Sequence, residues 1–220
     1  MRKTPLMKIY NTLFSAFGPR NWWPADTPEE VIFGAILAQN TSWKNARTAI
    51  SVLKSAGKLS FKALAKMNSE EIAKLIRSAR FLNQKAQALK AFAIYFGETY
   101  RFSIEKMGKI NLWPLRDELL NIYRIGPETA DSILLYAFKK PIFVIDAYTK
   151  RIFSRHGFMK EEDTYDAFQK FFMDHLSKKV RLYNEFHALI VHTGHFFCKP
   201  KPLCGECPLF RYLYKLRRKT

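Results

Sequence analysis

Apolar residues recur at helical spacing along most of the chain. Val31, Ile32, Ala35 and Ile36 form one stripe, Leu82, Ala86, Leu89, Ala93 and Phe96 a second, and Phe168, Phe171, Phe172 and Leu176 a third. Helix starts are marked by their chemistry. Thr27-Pro28-Glu29-Glu30 combines an N-cap, a proline at the first helical position and a glutamate three residues after the cap. Asn68-Ser69-Glu70-Glu71 opens another helix, and MRKTPLMKIYNTLF reads as an amphipathic helix with Thr4 capping and Pro5 opening it. Pro141 to Ile145, PIFVI, is the one strand-like run, and it is short. The pattern predicts an all-α protein of about ten helices joined by short connections. No internal repeat or low-complexity linker interrupts it, so any division into lobes must come from packing.

Composition narrows the class. With 220 residues, 48% apolar and 25% charged, the chain has a globular composition, long and apolar enough for one larger domain or two small lobes, so a folded chain is expected. Lys plus Arg number 37 against 19 Asp plus Glu, a net charge of +18 spread along the whole length. Such a field attracts polyanions, nucleic acid first; a generally basic protein or an anionic-membrane binder is the alternative. No apolar run approaches ~18 residues, and the N-terminus reads as a helix rather than a signal peptide, so a cytosolic protein is expected. Cys198, Cys204 and Cys207 are the only cysteines. An odd number so tightly clustered points to metal rather than to disulfides.

The stretch YRIGPETADSILLYA, Tyr123 to Ala137, joins an apolar helical segment ending near Ile122 to a second helix from Thr129 to Phe138. This is a helix-hairpin-helix, a device that aims backbone N–H groups at a phosphate. Glu128 in the first turn also suits the helix dipole, which is the plainer reading. Asp146 follows the apolar PIFVI run and precedes another helix. Burial there could tune its pKa for chemistry, and an ordinary N-cap is the alternative.

The pattern I-x-R-I-G-P-E-T-A followed by F-V-I-D-A-Y-T-K-R resembles the helix-hairpin-helix DNA glycosylases related to endonuclease III, which carry L-P-G-V-G-x-K-T-A and then V-D-T-H-x-x-R. Ala35 to Thr41 resembles the family's segment with an intercalating Gln, Phe81 to Ala86 its Y-N-x-K-A helix start, and His187 to His192 followed by Cys198 its C-terminal cluster region. The resemblance implies an enzyme that flips a damaged nucleotide from double-stranded DNA and hydrolyses its N-glycosidic bond. Asp146 matches the catalytic aspartate. Glu128 stands where a lysine gives the family's bifunctional members a Schiff-base nucleophile, so a monofunctional glycosylase is implied. Glu128 together with Trp22, Trp23 and Trp43 is similar to the 3-methyladenine DNA glycosylase III branch, whose aromatic pocket suits a cationic alkylated base. One of the adjacent tryptophans would line the pocket and the other pack behind it; a core role for all three is the alternative. Gln39 would wedge into the gap left by the flipped base, and Asn40, Arg124, Gly126, Thr129, Lys150, Lys199 and Lys201 would contact DNA.

Two departures from the family pattern stand out. Arg124 and Arg80 occupy glycine positions; a positive φ at Arg124 would cost about 1 kcal/mol, which a phosphate contact could offset. The cysteines read C-x5-C-x2-C against the family's C-x6-C-x2-C-x5-C, with Leu213 at the fourth position. A [4Fe–4S] cluster with another fourth ligand, zinc completed by His195 or His192, and a relic loop of free thiols all remain open. Arg211, Lys215, Arg217 and Arg218 make the loop's surroundings a basic surface. The resulting expectation is a monomeric, two-lobed, all-α enzyme. Residues 28–139 would form a helical barrel ending in the hairpin, residues 1–27 plus 140–220 the second lobe, and the active site the cleft between them. It would act in the cytoplasm on the nucleoid, with no membrane partner. A bifunctional glycosylase on oxidised pyrimidines and a non-catalytic DNA-binding module are the rivals.

Overall fold

A computed structural model describes residues 5–212; Thr4, Leu213, Lys215, Arg217 and Arg218 lie outside them. Twelve α-helices occur among the described residues, somewhat more than the stripes predict: α1 (Leu6–Phe17), α2 (Pro28–Leu37), α3 (Trp43–Ser55), α4 (Phe61–Leu64), α5 (Ser69–Leu75) and α6 (Leu82–Tyr100). Then follow α7 (Ile104–Gly108), α8 (Leu112–Leu120), α9 (Pro127–Ser132), α10 (Ala147–Arg155), α11 (Tyr165–His175) and α12 (Val180–Phe196). The additional helices are short ones, such as α4 and α7, which span too few turns to show a stripe. No described residue lies in a strand. The PIFVI run is instead irregular and buried from Ile142 to Ile145, and its backbone turns to side chains. Phe143 C=O accepts from Gln169 Nε2 at 2.8 Å, and Ile145 N–H donates to the Tyr165 hydroxyl at 3.3 Å.

The chain divides into two compact units, Trp23–Lys140 and the residues on either side, up to Trp22 and from Pro141 onward. In the first, α2 is buried from Val31 through Leu37 and packs on α3, α6 and a π-helical turn, Ile133–Ala137. Its apolar stripe reads as one face, yet every residue from Val31 to Leu37 is covered because neighbours surround that part of the helix. Thr27 caps α2 by accepting from Glu30 N–H at 3.1 Å, and Asn68 and Glu71 form a reciprocal capping box on α5. Phe61 stacks on Phe33 at a centroid distance of 4.3 Å and meets Phe92 at a tilt, at 4.5 Å. In the second unit α12 carries α1 and α10. Leu6, Ile9 and Leu13 are buried along α1, and Phe143 stacks on Phe172 at 4.1 Å. Gly194 lets α12 approach α10 closely, since a Cβ there would lie 2.3 Å from the Tyr148 ring.

Candidate active site

The hairpin joins α8 to α9 through a turn whose buried residues, Ile122 and Ile125, flank exposed Tyr123 and Arg124. Arg124 has φ 64°, so the left-handed position that favours glycine is occupied by arginine. Its guanidinium lies over the Tyr123 ring, 5.4 Å from the centroid. Gly126, by contrast, is extended at φ −92° and a Cβ on it would meet nothing within 4 Å. At the other glycine position, Arg80 has no positive φ and the left-handed residue is its neighbour Phe81, φ 56°. The second hairpin helix starts at Pro127 rather than Thr129, with proline as its first residue, and ends in the π-helical turn rather than as a regular helix to Phe138.

Glu128 is exposed in the first turn of α9. Thr129 is buried, and its hydroxyl accepts from Gln39 Nε2 at 2.9 Å; the same amide donates to Arg124 C=O at 2.9 Å. The residue expected to act as a wedge is therefore bound to the hairpin, and Asn40 beside it is exposed at φ 50°. Two buried charges here were not anticipated. Asp131 is 0% exposed and bidentate with Arg116, at 2.7 and 3.3 Å, tying α9 to α8. Lys85 is 2% exposed, and its ammonium donates to the Leu37 carbonyl at the end of α2, at 2.8 Å. Burial pulls its pKa down to about 8. A charge inside the apolar TADSILL run, and a lysine on the stripe of Leu89, Phe92 and Phe96, are the signals that could have found them.

Trp23 and Trp43 meet edge to face at 4.8 Å, and Trp23 packs on Tyr136 at 5.1 Å. Gly34 makes room for Trp23, whose ring carbon would lie 2.9 Å from a Cβ there. Tyr136 was missed because its position in ILLYA reads as core. Trp22 is half-buried and belongs to the other unit.

Asp146 is 8% exposed and is the N-cap of α10. Its Oδ1 accepts from both the N–H and the hydroxyl of Thr149, each at 2.7 Å. Its Oδ2 lies 3.6 Å from Nε2 of His187, which α12 supplies. Burial raises the Asp146 pKa, but His187 and the Thr149 donors outweigh it and hold the carboxyl below its usual range. The cap and the candidate acid are thus one residue using different oxygens. Of the cations expected on DNA, Lys150 donates to Asp163 C=O at 2.7 Å and lies over the Phe168 ring, whereas Lys199 and Lys201 are exposed.

Residues 33–178 match the family of HhH-GPD superfamily base excision DNA repair proteins. The chain belongs to that superfamily. Its relatives include a provisionally named DNA repair glycosylase of Methanocaldococcus jannaschii, 45% identical over 206 residues and 93% of both chains. An endonuclease III of Sulfolobus acidocaldarius is 32% identical over 82% of this chain and 79% of its own. Among solved structures, the H. pylori 3-methyladenine DNA glycosylase bound to 1,N6-ethenoadenine is 27% identical, with a TM-score of 0.74 over 86% of this chain and 97% of that one. This HhH-GPD protein is accordingly a base excision repair DNA glycosylase, and its partner is DNA. No helix among the described residues is long and apolar enough to cross a membrane.

In this glycosylase the three cysteines line one largely apolar cavity. His156, the C-cap of α10, lines it too; His192 and His195, the histidines nearest in sequence, do not. His192 instead packs on Phe17 and Phe196, and His195 is exposed. Arg155 spans the loop, donating to Cys198 Sγ at 3.4 Å and to the carbonyls of Lys199 and Pro200. No three His, Cys, Asp or Glu among the described residues gather closely enough to hold a single metal ion.

Proposed function

We propose that this glycosylase is monofunctional and removes a cationic, alkylated purine of the 3-methyladenine type from double-stranded DNA. Glu128 carries the reading. A carboxylate cannot form an imine with the sugar, and the hairpin position that holds the lysine of bifunctional relatives offers nothing else. A substitute lysine would have to be accessible and readily deprotonated. Lys85 and Lys140 have lowered pKa values, but Lys85 is buried on the Leu37 carbonyl and Lys140 is bound to the carbonyls of Gly108 and Ile110.

In this mechanism the ionised Asp146 opposes the positive charge that develops on the sugar as the C1′–N bond breaks. Water adds to C1′ and gives a proton to the carboxylate, while the bonding pair leaves with the cationic base, which departs neutral. Oδ2 is the oxygen suited to this task, because the helix cap engages Oδ1. Thr149 and His187 both favour the ionised form that the step requires. The Trp23, Trp43 and Tyr136 rings supply the electron-rich faces on which such a base would stack, at about 0.5–2 kcal/mol per contact. The H. pylori relative, named as a 3-methyladenine glycosylase, supports this choice of base. The reading extends to Gln39 as the wedge, Arg124 and the hairpin as the phosphate grip, and a monomer acting on the nucleoid in the cytoplasm.

The endonuclease III relative keeps a second reading in play, a glycosylase with lyase activity on oxidised pyrimidines. A panel of lesion-bearing duplexes scored for released base, with borohydride trapping on abasic DNA, separates the two. Release of 3-methyladenine without a trapped adduct is expected. A stable covalent adduct would sink the monofunctional reading, and release confined to oxidised pyrimidines would sink the choice of base.

A further inference from the structure

We propose that His156 is the fourth ligand of a metal centre completed by Cys198, Cys204 and Cys207, and that the centre is an iron–sulfur cluster of the [4Fe–4S] class. The three thiols come from the loop after α12, and the imidazole comes from the end of α10, 42 residues before the first cysteine. All four line the same cavity. The residue at the fourth cysteine position of the family pattern, Leu213, has no donor atom to offer.

The chemistry of the ring fits a ligand. His156 is 6% exposed, and its Nδ1 is buried without a hydrogen-bond partner. A buried nitrogen in that state is unfavourable unless something binds it. The ring also hydrogen-bonds the Tyr212 backbone. With Nδ1 unpartnered, that bond falls to Nε2–H. The proton is thereby fixed on Nε2, and Nδ1 carries a lone pair, the tautomer that ligates metals and the outer bond that typically orients a ligating histidine.

The sulfurs are held by neighbouring donors. The Arg155 guanidinium donates to Cys198 Sγ at 3.4 Å, and the Leu209 backbone hydrogen-bonds the Cys207 sulfur. Spacing selects the occupant. A zinc ion needs four donors within about 2.0–2.3 Å of one point. The described residues contain no such gathering, whereas three thiols and an imidazole around one cavity suit a group that takes one ligand at each corner.

The test uses the full chain, purified without oxygen and reconstituted with ferrous iron and sulfide. We expect about four irons and four sulfides per chain, and a nitrogen-14 coupling from imidazole in pulsed paramagnetic resonance of the reduced centre. His156→Ala should lose that coupling and at least half of the iron while its circular dichroism stays helical. His156→Cys should retain the iron, lose the coupling and shift the reduction potential downward, since imidazole in place of thiolate raises it. This variant shows that loss in the alanine protein is not misfolding. The proposal is overturned if the wild type binds one zinc, three irons or no metal, or if the variants keep the nitrogen coupling.

Discussion

Replacing Asp146 by asparagine separates its helix cap from the chemistry proposed for it. Asparagine keeps an oxygen where Oδ1 accepts from the Thr149 N–H and hydroxyl, both at 2.7 Å, and it is as good an N-cap as aspartate. The α10 cap should therefore survive, and stability measured by urea unfolding should stay within about 1 kcal/mol of wild type. What disappears is the negative charge at Oδ2, 3.6 Å from His187. An acid–base group of this kind contributes about 10²–10⁴-fold to rate, so single-turnover base release should fall by at least about 10²-fold, with little change in the affinity for lesion-bearing duplex. Asp146→Ala should be equally slow and lose a further 1 kcal/mol or so, because it also removes the cap. The lowered carboxyl pKa fixes the pH dependence. A group depressed in the folded state stabilises above its unfolded value, here 3.8, and that contribution is lost as pH falls through the lower folded value. Wild-type base release should hence show no loss from Asp146 protonation at pH 5. Base release by the asparagine variant within about threefold of wild type would refute the reasoning, leaving Asp146 as a cap alone.

Arg124→Gly should relieve the left-handed φ of 64° and stabilise the fold by about 1 kcal/mol in urea unfolding. If Arg124 also grips a phosphate, the salt dependence of DNA binding should drop by about one counterion; an unchanged slope would confine Arg124 to the turn. Lys85→Met tests the buried ammonium through pH. Because folding lowers the lysine pKa from 10.5 to about 8, its penalty is full below the folded value and vanishes above the unfolded one. Wild type should gain at most about 3 kcal/mol on Lys85→Met between pH 8 and 10.5, and a pH-independent difference would show that Lys85 is not buried as a charge. Gly194→Ala places a Cβ 2.3–2.6 Å from Tyr148 and should cost about 1–3 kcal/mol by thermal or urea unfolding, whereas a silent substitution would mean that α10 and α12 do not pack this closely.

Local signals proved legible because local physics decides them. Thr27-Pro28-Glu29-Glu30 and Asn68-Ser69-Glu70-Glu71 start helices in the structure for the reasons readable in the sequence, since a cap satisfies N–H groups within three residues of itself. Asp146 was legible as a cap, and the chemistry proposed for it is compatible with that cap because the cap engages Oδ1 alone. Long-range pairings were not legible. His187 lies 41 residues from Asp146, His156 lies 42 from Cys198, and Lys85 lies 48 from Leu37, and no spacing rule reaches so far. Sequence proximity even misdirects in the cysteine loop. His192 and His195 are near in the chain, yet the end of α10 brings His156 to the cavity instead.

Arg124 shows how an arginine can be held in a left-handed position that favours glycine. A left-handed arginine is strained by about 1–2 kcal/mol, and an isolated turn would relax by rotating its peptide. Here the peptide is held. Ile122 and Ile125 are buried on both sides of the turn, and the Arg124 carbonyl accepts from Gln39, whose amide also binds Thr129 on the far side. Rotation would cost that hydrogen bond, about 1 kcal/mol, and unseat two buried isoleucines, each contributing about 1.5–3 kcal/mol. Those losses exceed the strain, so the hairpin keeps its shape with arginine in place of glycine. The same bonds give Gln39 its ground state. If it wedges into DNA, it must first release Arg124 and Thr129, and entry of the wedge is coupled to loosening of the turn that is proposed to grip the phosphate.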